Sequence, residues 1–175
     1  MKKAAVIGLG NITLGDLGAG CYVVDALLQE PLGEYVDATY LAEASFYAGA
    51  FICGSEFAVI VQAVCMGGTP GSIYCWDNPT FQRNFHWFAD QSLSIRSLGG
   101  GFARAGLSEI FPDDLMFLWI EPAVTEGVAI SSQMRSAIRK AINLIKKTLF
   151  QRGFLPESAL ELSSIHYLEI LDATI

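Results

Sequence analysis

The sequence predicts an α/β fold, a three-layer sandwich whose mostly parallel, twisted sheet carries helices on both faces. Three observations lead there. Short apolar runs such as "AAVIGL", "FAVIVQAV" and "DLMFLWI" show no polar alternation, as expected of strands buried on both faces. Stretches of helical period separate several of them. Glycine-rich turns follow the first and second of these runs, where a parallel strand hands over to the next element.

Taken in order, residues 3–9 read as the first strand, and residues 18–29, "GAGCYVVDALLQ", as a helix. Val23, Val24, Leu27 and Leu28 form the inner side of that helix, and Pro31 with Gly33 ends it. Residues 35–41 give a second strand and 44–54 a helix. Residues 57–65 are a third strand, "MGGTPG" a turn, and 72–76 a short strand. The segment 77–91, rich in aromatic residues, reads as irregular and as a contact surface or a lid over the core. Residues 97–110 look helical after Gly99–Gly101, and 114–120 form another strand. Ser131 or Ser132 caps a long helix reaching about Leu149, with a stripe of Met134, Ile138, Ile142, Ile145 and Leu149. The organisation expected is one α/β domain over 1–150 and a carboxyl-terminal extension, 151–175, packed on it. In that extension "SIHYLEIL" suggests a strand or an edge.

The chain has 175 residues, is 52% hydrophobic and 17% charged, and must bury much of itself. A formal net charge of −7 argues against nucleic-acid binding. Arg135, Arg139, Lys140, Lys146 and Lys147 cluster on one stretch, which reads as the solvated face of the long helix. Cysteines 21, 53, 65 and 75 form no Cys-x-x-Cys pair. Cys53 and Cys65 lie in apolar runs, so four reduced thiols in a cytoplasmic protein are expected. The apolar start is cut short at Asn11 and Asp16, so it does not read as a signal peptide. Gly54-Ser55-Glu56 interrupts the longest apolar stretch, so no membrane span is expected.

Ligands in such folds sit beyond the carboxyl ends of the strands, here residues 9–17, 41–45, 62–70 and 120–127. Gly8-x-Gly10 after a strand invites a dinucleotide reading, with Glu43 as the ribose-binding acid. However, Thr13 occupies the place of the third glycine and Asp16 lies in an overlong turn, so no cofactor is expected. Asp16 reads as an acceptor for backbone N–H groups at the following helix start. No nucleophile elbow, zinc-protease helix or phosphate loop is present.

The segments "GLGNITLGDLGAGCYVVDAL", "VIVQAVCMGGTPGSIYCW", "SLSIRSLGGGFARAG" and "FLWIEPAVTEGVAISSQMRSAI", in that order, resemble the hydrogenase maturation proteases. That family cuts a short carboxyl-terminal extension from the nickel-bearing large subunit of nickel-iron hydrogenases. Gly8, Gly10, Asn11, Asp16, Gly18 and Gly20 match the family opening. The resemblance implies a metal-contacting pocket built from an acid, an aspartate and a histidine. Those positions correspond to Leu17, Gln62 and Arg96 here. Leucine offers no donor atom, glutamine only a neutral carbonyl oxygen, and arginine stays protonated, so no metal is expected. Gly10, Asn11, Asp16 and Glu43 would neighbour that crevice, and a displaced site from Asp16, Glu43 and His86 is an alternative; His166 falls in the unmatched tail. Arg96 would pair with Asp16, with Gln62 linking them, or would bind an anion. Three functions follow as expectations. The first is a maturation-protease relative that binds a hydrogenase large subunit or maturation factor without cutting it. The second is an active endopeptidase, and the third a small-molecule or anion-binding enzyme built around Arg96.

Overall fold

The computed structural model describes residues 3–160. Its strands are β1 (Ala4–Leu9), β2 (Val36–Ala42), β3 (Phe57–Ala63), β4 (Ile73–Asp77) and β5 (Asp114–Ile120). They pair in the order β2-β1-β3-β5-β4. Every pairing is parallel except the β4–β5 edge, which is antiparallel. The helices are α1 (Ala19–Leu28), α2 (Ala48–Ile52), α3 (Asn78–Gln91), α4 (Leu93–Ala105) and α5 (Ser132–Gln151).

Side chains alternate across a strand, so each central strand feeds two cores. Val6, Val59, Val61, Leu118 and Ile120 face α1 and α5. Ile7, Ile60, Phe117 and Trp119 face α2, α3 and α4. The α5 stripe from Met134 to Leu149 is fully buried, and the Ser131 hydroxyl accepts from Met134 N at 3.0 Å as its cap. Phe154, Leu155 and Ala159 extend the first core, so the start of the carboxyl-terminal extension packs on the domain. "SIHYLEIL" and His166 lie outside the described residues.

Four expectations are corrected. Residues 78–91 are helical rather than irregular, because Asp77 accepts from Thr80 N at 2.8 Å and Pro79 occupies the first turn. The helix buries Phe81 and Phe88, so it closes the second core, leaving Trp87 outside. Helix α4 starts at Leu93, capped by Ser92, four residues before the predicted 97. Leu28 is half exposed rather than an inner residue of α1. Lys146 is not on the solvated face. It is buried against Glu30, on the turn after α1, in an ion pair linking α5 to that turn.

Gly8 and Gly20 explain the opening glycines. A Cβ on Gly8 would lie 2.1 Å from the Gly20 carbonyl oxygen, and one on Gly20 2.2 Å from that of Val61. Helix α1 therefore rests directly on the β1 and β3 backbones.

Candidate functional site

Strand order reverses at β1, which pairs with β2 on one side and β3 on the other. Beyond their carboxyl ends opens a cavity of about 480 Å³. Gly10 and Asn11 line it after β1, Ala42 and Glu43 after β2, and Gln62 to Cys65 at the end of β3. Leu93, Ser94 and Ser97 from the start of α4 supply the opposite wall.

Asn11 organises the mouth. Its Oδ1 accepts from Thr13 N at 2.9 Å, capping the 3-10 segment Ile12–Gly18, and its Nδ2 donates to Glu43 Oε1 at 3.1 Å. Glu43 follows Ala42, which at φ +48° is the one non-glycine residue in the left-handed region among the described residues. That conformation costs an alanine about 1 kcal/mol. It accompanies the register shift between β1 and β2, where Leu9 pairs with Ala42.

Gln62 is buried on the wall. Its Nε2 donates to Ser94 Oγ at 2.8 Å, and the Ser94 carbonyl in turn accepts from Ser45 Oγ at 3.0 Å. Gln62 Oε1 is buried and has no hydrogen-bond partner. Such an atom is uncommon in a folded interior and marks a place where a donor is missing.

Asp16 stands apart from the cavity. Fully buried, it accepts from Ala123 N (2.8 Å), Val124 N (3.1 Å), Ser131 N (2.7 Å) and Ser131 Oγ (2.8 Å). It does accept backbone N–H groups, as predicted, but from the loop before α5 rather than from α1. The carboxylate ties the glycine-rich turn to the β5–α5 connection and holds the residue that caps α5. Glu121 has a parallel task that the sequence reading missed. Buried after β5, it accepts from Met66 N at 2.9 Å and Gly67 N at 3.2 Å, anchoring the turn after β3. Its only signal was an acid followed by proline at a strand's carboxyl end.

Of the three positions singled out by the resemblance, Leu17 and Gln62 line the cavity and Arg96 does not. Arg96 Nε donates to Ala89 O at 3.2 Å, and its guanidinium lies 3.7 Å from Asp90, both groups largely exposed. Neither the Asp16–Arg96 ion pair nor an Arg96-lined crevice forms, because α4 turns that residue outward. The displaced trio does not assemble either. His86 is exposed on α3 beside Phe85, and among the described residues no three His, Cys, Asp or Glu side chains stand close enough to hold a metal ion. A leucine, an amide and one carboxylate do not fit the donor set of a divalent metal.

The thiols at Cys21, Cys53, Cys65 and Cys75 are free. Cys65 is exposed at the cavity rim rather than buried, because β3 ends at Ala63, and Cys53, just past the end of α2, is half buried. Burial, then the Glu121 carboxylate, push the Cys65 thiol above its ordinary range. Burial also raises Cys21, whose Sγ lies 3.2 Å from Gly10 O. Neither is activated as a nucleophile. No helix among the described residues is long and apolar enough to cross a membrane.

No protein-family model matches the chain, and no curated protein sequence matches it significantly. Solved structures do. The hydrogenase maturating endopeptidase HybD from E. coli superposes with a TM-score of 0.79 at 21% identity, over 86% of this chain and 94% of that one. An endopeptidase from Escherichia coli, solved in solution, gives 0.79 at 22% over 89% and 98%. The hydrogenase 2 maturation peptidase from a Thaumarchaeota archaeon gives 0.65 at 24% over 85% and 99%. The chain therefore has the fold of hydrogenase maturation endopeptidases, along nearly the full length of those proteins.

Proposed function

We propose that this protein is a divergent relative of the hydrogenase maturation proteases. In this reading it binds a nickel-iron hydrogenase large subunit, or another maturation factor, in the cytoplasm without cutting it. The observation that supports this most is the wall of the cavity at the β1–β3 switch point. A cavity is present there, yet Leu17 and Gln62 occupy the places where the family resemblance implies carboxylates, and Arg96 is turned outward. A cavity open to a partner is present at that end of the sheet, while the electron-pair donors for gripping a substrate's nickel are not.

The rim supports a binding role. Ile12, Leu14, Phe46, Tyr47 and Leu93 are exposed around this end of the sheet. Of these, Leu14 and Leu93 line the cavity itself, and Phe46 and Tyr47 pack edge to face beside each other. Cleavage would need either a metal contact or an activated nucleophile, and Cys65, the one thiol on the cavity wall, is held in its neutral form.

The test is incubation of the purified protein with a nickel-loaded large-subunit precursor, followed by gel filtration and intact mass. A stable complex with an uncut precursor is expected. Removal of the carboxyl-terminal extension would establish the endopeptidase reading instead, and absence of any complex would overturn the binding role.

A further inference from the structure

We propose that the cavity takes a guanidinium group on an apolar stem, the side chain of an arginine presented by a partner chain. Two acceptors on the wall, one on exposed Glu43 and one on buried Gln62, have no protein partner among the described residues. Glu43 uses Oε1 to accept from Asn11, and its Oε2 has no partner among the described residues. Gln62, only 6% exposed, leaves Oε1 unpaired. No Lys, Arg or His side chain lines the cavity, so its formal charge is that of Glu43 alone.

This asymmetry selects the ligand. An anion would meet a carboxylate and no counter-charge. A divalent metal would find one anionic donor where it needs several. A guanidinium brings five donors in a planar fork and a single, weakly hydrated charge, which matches one carboxylate and one amide oxygen. Leu14, Leu17, Val64 and Leu93 provide apolar wall for the methylene stem. The volume, about 480 Å³, admits such a side chain with part of its backbone. The chain's net charge of −7 favours the approach of a basic segment.

The inference shares with the proposed function only the premise that this cavity is a binding site, and its test contains no hydrogenase subunit. The full chain is titrated with Nα-acetyl-arginine amide, using Nα-acetyl-citrulline amide and acetate as controls, and followed by side-chain and backbone amide shifts. Saturable shifts at the Gln62 side-chain amide and at Asn11 and Glu43 are expected, with arginine bound about tenfold more tightly than citrulline. Glu43→Gln, a change at an exposed position, should weaken the arginine probe about tenfold and leave the citrulline probe unaffected. Equal binding of citrulline, preferential binding of acetate, or no saturable shift at tens of millimolar probe would overturn the inference. So would a folded Gln62→Leu protein that binds as well as wild type. Arginine binding without complex formation by a large subunit would leave the inference standing and remove the hydrogenase role; the reverse result would do the opposite.

Discussion

Replacing Asp16 by asparagine tests whether this buried acid is scaffold rather than chemistry. The wild-type carboxylate accepts four hydrogen bonds, three from backbone N–H groups and one from the Ser131 hydroxyl. An asparagine of the same shape must aim its NH₂ at one set of these donors. The less costly orientation places Nδ2 where Oδ1 meets Ser131 N and keeps the amide oxygen toward Ala123, Val124 and Ser131 Oγ. One buried donor is then orphaned and three bonds lose their charge assistance, together about 2–3 kcal/mol. For a chain of this length that lowers the thermal midpoint by roughly 4–12 °C. Circular dichroism melts measure the midpoint, and hydrogen exchange at Ala123, Val124 and Ser131 localises the effect. Asp16→Ala should cost more, since it removes every acceptor at once. A midpoint unchanged in Asp16→Asn, with exchange at those amides unaltered, would refute the scaffold role.

Further outcomes follow from other contacts. Gly20→Ala drives a Cβ to 2.2 Å from Val61 O, and should yield insoluble protein or lose about 3 kcal/mol or more in denaturant titration. Lys146→Met strands Glu30 in the interior and should cost about 3–5 kcal/mol, while Lys146→Met with Glu30→Leu should recover most of it. Thr80 holds the Asp77 carboxyl below its ordinary range through side-chain and backbone hydrogen bonds. Its contribution is therefore present above the ordinary aspartate value and lost as pH falls through the lower folded one. The difference in melting temperature between wild type and Asp77→Asn should shrink toward zero on acidification. Cys65 should alkylate with iodoacetamide more slowly than a free thiol at neutral pH and catch up only in alkali, because burial and Glu121 favour its neutral form.

What the sequence disclosed tracks the period of burial. The run Asp114–Ile120 is apolar at six successive positions and was legible to the residue as a strand, since only a strand covered on both faces needs that pattern. The α5 stripe was equally plain because its period is sustained over four turns. Helix α3 was missed although Phe81, Phe85 and Phe88 fall at helical spacing behind an Asp-Asn-Pro cap. The density of aromatic residues obscured that spacing. At the candidate site, Leu17, Gln62, Asn11 and Glu43 line the cavity because they lie at or just beyond the carboxyl ends of parallel strands. Asp16 and Arg96 do not line it. Their orientation is decided by partners more than a hundred residues away for Asp16, and by the rotation of α4 for Arg96, and neither leaves a local mark in the chain.

The central proposal, that the cavity beyond β1 and β3 does not hold a metal, is tested most directly by titrating purified protein with nickel or cadmium and following heat together with the Gln62 side-chain amide resonance. The account predicts no saturable heat and no shift of that resonance. Stoichiometric micromolar binding that perturbs Gln62 and disappears in Gln62→Leu would contradict it.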